Sequence, residues 1–187
     1  MIRPWAGKAL LSLCLPFGLA ACTQDLGREW KAADADTSKI VFEAPGLEDQ
    51  KARFLRSYNE RQSVLVENAM WIGPEARHPK AIVQYYRTSP GYYFPSRSDP
   101  QDLLKRYTAL KDKEMSFGPL RMAVNGLGRI DYRAFGFDSV SCVVFFAIWG
   151  ASAGAGDQRL AGYYCADPGE PLDEATIERV VKSVDVR

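Results

Sequence analysis

The sequence predicts an α+β domain, a mostly antiparallel β-sheet of about six to eight strands with two helices packed on it, at about 100–113 and 173–184. Three observations lead there. Runs rich in β-branched and aromatic residues, such as SVLVENAMW, KAIVQYYR and SVSCVVFFAIW, recur between Gly- and Pro-containing turns, which is the pattern of hairpin-linked strands. Two segments carry an apolar stripe at helical spacing behind a capping aspartate. Strands also come in runs broken by single helices, an order that favours an antiparallel sheet with segregated helices.

KIVFEA, residues 39–44, is the first strand of this reading. KARFLRSYN, 51–59, fits two periods: Phe54, Leu55 and Tyr58 suit a helix, whereas Phe54, Arg56 and Tyr58 alternate as a strand does. Strand is preferred, because SVLVENAMW follows after a short polar turn. Residues 63–71 and 80–87 are the next two strands, joined by GPEARHP. Folded as a hairpin with Ile72 opposite Lys80, they set Asn68 against Gln84 and Val66 against Tyr86, polar to polar and apolar to apolar. Ser89-Pro90-Gly91-Tyr92 has the Pro and Gly positions of a type II turn.

The first helix has Asp99 as N-cap, Pro100 at N1 and Asp102 in its first turn. Leu103, Leu104, Tyr107 and Leu110 form its apolar stripe, and Lys111-Asp112-Lys113-Glu114 its solvated end. Beyond Gly118-Pro119, Asn125-Gly126 marks a hairpin. A three-residue loop sets Met122 against Ile130, Leu120 against Tyr132 and Arg121 against Asp131. A shift of two residues would bring Arg121 against Arg129, a like-charge pair.

The last hairpin runs SVSCVVFFAIW, GASAGAGD, QRLAGYYCA. With Trp149 opposite Gln158, Cys142 falls opposite Cys165, Tyr163 opposite Val144 and Phe146 opposite Ala161. The spacing therefore predicts a Cys142–Cys165 cross-strand disulfide. Val140 to Trp149 is apolar on both faces, as a central strand covered on each side should be. A second helix follows, capped by Asp173, with Leu172 and Ile177 at staple spacing and Ile177, Val180, Val181 and Val184 as its stripe. In element order the chain is similar to the small α/β/α sandwiches of the photosystem PsbP type.

Ahead of the domain stands a different kind of segment. Arg3 and Lys8 precede an apolar run, Ala9 to Ala20, that is shorter than the roughly 20 residues of a membrane span and contains Pro16 and Gly18. Residues 1–21 read as a signal peptide. LAAC, residues 19–22, resembles the bacterial lipobox. That resemblance implies that Cys22 becomes the first mature residue and carries acyl chains such as palmitate. It implies a place in the bacterial cell envelope, with Thr23 favouring the periplasmic face of the outer membrane. The alternative is ordinary secretory cleavage after Ala21, leaving Cys22 free. The chain has four cysteines; removal of Cys14 and acylation of Cys22 leave two, which an oxidising envelope would pair. Residues 22–38 read as a lipid-anchored flexible tether and 39–187 as one globular domain. Trp30, within the tether, either sits at the headgroup level or packs on the domain.

The whole chain has 24 basic and 23 acidic residues. Cleavage would remove Arg3, Lys8 and no acid. There is no basic excess or basic run to recommend nucleic acid. No cofactor is implied and no catalytic residue is assigned. His78, the sole histidine, lies near Glu75, but no G-x-S-x-G elbow accompanies it. No metal site is expected: oxidised and acylated cysteines with a single histidine assemble no zinc cluster, and ADAD lacks the glycine and terminal glutamate of an EF-hand loop. GASAGAGD lacks the Lys and following helix of a phosphate loop, and NGLG is a turn.

YYRTSPGYYFP, residues 85–95, concentrates aromatics around a turn. Tyr85, Arg87, Tyr92, Tyr93 and Phe94 are the candidate binding surface, for an envelope protein or a glycan; alternate aromatics in the core are the competing reading. The expectation is a non-catalytic envelope lipoprotein that binds or scaffolds, its membrane partner reached through the lipid on Cys22. The rival is a small envelope hydrolase with His78 as general base and an unassigned serine. A third reading is recruitment of another chain by strand addition at a sheet edge.

Overall fold

The computed structural model describes residues 29–48, 50–60, 63–72, 79–94, 98–150 and 156–187. Its strands are β1 (Lys31–Ala33), β2 (Ile40–Val41), β3 (Ala52–Asn59), β4 (Val64–Trp71), β5 (Ala81–Thr88), β6 (Ser116–Phe117), β7 (Arg121–Asn125), β8 (Gly128–Phe137), β9 (Val140–Trp149), β10 (Gln158–Cys165) and β11 (Asp185–Val186). The helices are α1 (Pro100–Leu104) and α2 (Glu174–Ser183). Among the described residues, nine strands form one sheet in the order β1-β3-β4-β5-β10-β9-β8, with β6 and β7 both pairing β8. Every pairing in it is antiparallel. The count exceeds the expected six to eight because β1 and β6, of three and two residues, carry no strand pattern of their own.

The expected mostly antiparallel sheet with two helices is what forms. β9 lies between β10 and β8, and its successive side chains point to opposite faces. Val143, Phe145 and Ala147 share one core with Ile177, Val180 and Val181 of α2 and with Val184 just beyond it. Cys142, Val144, Phe146 and Ile148 share the other with Leu103 and Leu104 of α1. Both faces of β9 are thus covered, which is why residues 142–149 read as an unbroken apolar run. Gly162 of β10 leaves no room for a side chain: a Cβ there would lie 2.6 Å from the Ile82 carbonyl oxygen and 2.7 Å from the Phe145 ring.

Two hairpin registers are as the sequence predicts. Asn68 faces Gln84 and Val66 faces Tyr86; Trp149 faces Gln158, Tyr163 faces Val144 and Cys142 faces Cys165. The two sulfurs are bonded, with Cα atoms 4.1 Å apart. Residues 52–59 are strand. Gly91 has the positive φ of a type II turn (+87°) and the Tyr92 amide donates to Ser89 O (3.1 Å). Asp99 and Asp173 cap their helices, accepting from the amides of Gln101 and Thr176.

Four expectations need correction. The first helix ends at Leu104 instead of about residue 113. Beyond it Arg106 and Tyr107 donate to Leu103 O and Leu104 O, tighter i−3 bonds that replace the helix ladder. The stripe is buried all the same, and the Tyr107 ring meets Tyr163 edge-on at 5.0 Å. Packing onto the sheet, not helix propensity, decides the local conformation.

The Asn125-Gly126 hairpin closes with a two-residue loop, Asn125 facing Gly128, so Ala123 faces Ile130 and Met122 faces Asp131. One residue of slip exchanges the faces. Ala123 and Ile130 are buried, whereas Met122 and Val124 are exposed. Arg121 pairs with Glu174 of α2 and not with Asp131, which instead takes Arg129 (2.6 Å). The cause lies in Asn125: its Oδ1 accepts from the Leu127 amide, and its Nδ2 donates to Val184 O (2.6 Å) at the end of α2.

The segment read as tether is folded over its last residues. β1 pairs with β3, Lys31 opposite Arg56. Arg56 donates to Thr37 O (2.8 Å) and pairs with Glu67 (3.0 Å), whose other oxygen accepts from the Lys39 amide. Glu67 is buried, so backbone partners and a buried carboxylate hold a polar segment that has no apolar pattern. The first strand is also shorter than 39–44: β2 stops at Val41 and pairs with β11, while Phe42, Ala44 and Leu47 turn into the core.

Candidate binding surface at one end of the sheet

β3 and β5 finish, and β4 and β10 begin, at the same end of the sheet, where Asn59 faces Val64, Val64 faces Thr88, and Gln158 faces Arg87. The turn after β5 is pinned there. The Thr88 amide donates to Asp157 O (2.9 Å), the Ser89 amide to Ser63 O (2.8 Å) and the Phe94 amide to Gly156 O (2.8 Å). The Thr88 hydroxyl donates to Tyr92 O (2.5 Å). Backbone groups that a loop would leave to water are thus bonded within the fold.

Of the five residues singled out in the sequence, three are on this surface. Arg87 is exposed, and Tyr92 and Tyr93 are 57% and 56% exposed. Arg87, Ser89, Tyr93, Gly150 and Asp157 line an open depression of about 660 Å³. Tyr85 is not part of it. Its ring is buried and stacks on Trp149 (6.1 Å), and its hydroxyl donates to Gln158 Oε1 (2.7 Å). Burial raises its pKa above the ordinary phenol value. The alternation of the strand puts Tyr85 in the core, so it is a structural residue.

Phe94 is turned inward. Its ring and that of Tyr86 flank the Arg159 guanidinium, whose central carbon lies 4.7 and 4.1 Å from the two ring centroids. Burial pulls the Arg159 pKa below its usual value, while Tyr86 acts in the opposite sense. An arginine between two rings is held by π-faces, and this clamp fixes Phe94 so that Tyr92 and Tyr93 point outward. Arg159 escaped notice in the sequence, where it is one charge in QRLAGYYC. Tyr58, which the sequence marks only as a strand or helix position, is 54% exposed and lies with its hydroxyl 3.4 Å from Ser89 Oγ. Its place in a strand gave a signal only through the 54/56/58 alternation.

Cys22 and His78 lie outside the described residues, as does Glu75. Among the described residues, no group of three or more His, Cys, Asp or Glu is placed to hold a metal ion. No helix among them is long and apolar enough to cross a membrane. The chain matches no protein-family model and no curated protein.

Proposed function

We propose that the protein is a lipid-anchored protein of the bacterial cell envelope, a non-catalytic α+β module that binds or scaffolds at the membrane. LAAC at residues 19–22 supports the anchor. The observation that carries the binding reading is the outward-held pair Tyr92 and Tyr93, on a turn whose backbone is bonded at Thr88, Ser89 and Phe94. Large aromatic side chains left in solvent by a rigid support bury apolar area on contact at little entropic cost. Cys142 and Cys165, buried and joined across two strands, staple the module and carry no redox chemistry of their own in this reading.

The deciding experiment is the intact mass of the protein extracted from its own membranes. A mass equal to residues 22–187 plus acyl chains is expected. A mass without acyl chains overturns the anchored reading.

A further inference from the structure

The residues that support the anchor and those that support the binding surface meet at one place. β1 runs antiparallel to β3, with Lys31 opposite Arg56, so the chain ahead of Lys31 heads along β3 toward Ser57 and Tyr58. Glu29, Tyr58 and Glu60 line one depression there. Tyr58 in turn reaches Ser89 of the turn that carries Tyr92 and Tyr93. The domain therefore joins its N-terminal segment at the end of the sheet that displays three exposed tyrosines. Cys22 is seven residues ahead of Glu29, a span of at most about 25 Å.

We infer that this end of the sheet lies against the bilayer, with Tyr58, Tyr92 and Tyr93 in the headgroup layer. The inference rests on the anchored reading and adds to it an orientation and a lipid-contacting surface. Tyrosine suits that layer because its ring is apolar and its hydroxyl polar, the property that concentrates it at membrane–water interfaces. Arg87 is placed to meet a lipid phosphate, while exposed Glu29 and Glu60 more than offset its charge. The contact is therefore one of aromatic burial with zwitterionic headgroups and needs no anionic lipid. The other large apolar side chains exposed among the described residues are away from the anchor. Phe117 is at the opposite end of the sheet, paired with Phe135, and Leu120, Met122 and Val124 lie on or beside β7 at the far lateral edge.

The test uses the acylated protein, purified and reconstituted in phosphatidylcholine nanodiscs. A nitroxide is attached in turn to Tyr93→Cys and to Phe117→Cys, both exposed positions. Collisions with a water-soluble nickel complex and with oxygen are then measured by electron paramagnetic resonance. The label at 93 is expected to lose nickel access several-fold relative to the label at 117, and to regain it when the protein is cleaved from its lipid. Equal nickel access at both positions overturns the inference while leaving the anchored reading intact; it is the result expected if the tyrosines serve a protein or glycan partner. A purified protein without acyl chains overturns both.

Discussion

Asp99 binds on two sides with one carboxylate. It caps α1 through the Gln101 amide, and it holds Arg133 by two parallel bonds, Nε to Oδ1 at 2.9 Å and Nη2 to Oδ2 at 2.7 Å. Arg133 also donates to Gly118 O (2.9 Å), so the pair ties α1 to β8 and to the loop before β7. The hydrogen bonds from Arg133 hold the Asp99 carboxyl below its ordinary pKa. A lowered folded value means that the contribution is present above the unfolded carboxylate pKa, about 3.9, and is lost as pH falls through the folded value. Asp99→Asn keeps a capping oxygen but removes the charge. It is expected to cost roughly 1–2 kcal/mol at neutral pH. The gap between variant and parent should close below about pH 4. Urea unfolding at both pH values checks this, and a gap independent of pH would exclude the charge as its cause. At this scale the sequence was readable where a residue has a rule attached: the aspartate caps, the paired cysteines, the tyrosines beyond a turn. Tyr85 was legible as one of two alternatives, and the structure gives the reading in which alternate aromatics are core; Arg159 was not legible, because ring clamping is settled by neighbours far away in the chain.

Among the elements, the β9–β10 hairpin has the sharpest consequence. Its disulfide joins residues 23 apart, and both cysteines are buried. Replacing both with alanine is expected to lower stability by about 3 kcal/mol. Reductant alone should leave the folded protein oxidised, with thiols appearing only when denaturant is added; thiol titration in each condition checks it. Registers were legible where cross-strand chemistry constrained them, as at Asn68 with Gln84 and Cys142 with Cys165. The register at Asn125 was not legible. The choice between loop lengths there depends on a bond from Asn125 to the end of α2, which no local pattern encodes. The shortened α1 has the same kind of cause: its stripe is buried as the spacing implies, but the path that buries it is set by Tyr163 beneath.

The whole molecule buries a set of phenols. Tyr85, Tyr107, Tyr132, Tyr163 and Tyr164 all have pKa values raised chiefly by desolvation, that of Tyr164 to about 12. Their unfolded value is about 10. With folded values above it, their contribution is complete below about pH 10 and is lost as pH rises toward the folded values. Alkaline unfolding is therefore expected above about pH 10, with phenolate absorbance and loss of circular dichroism rising together for this set. Buried phenols that ionised near pH 10 with the fold intact would contradict it. The sheet itself has a seam. Among the described residues, β1, β3, β4 and β5, all ahead of α1 in the chain, form one run, β6 to β10 form another, and within the sheet only β5 with β10 joins them. For a chain that reaches its compartment N-terminus first, the earlier half emerges with β5 as an open edge. That edge stays unpaired until residues 158–164 arrive. A strand delivered late, with only α2 and β11 behind it, thus closes a gap left by the earlier half, so the time spent waiting, and whatever shields β5 during it, becomes part of how this protein is made.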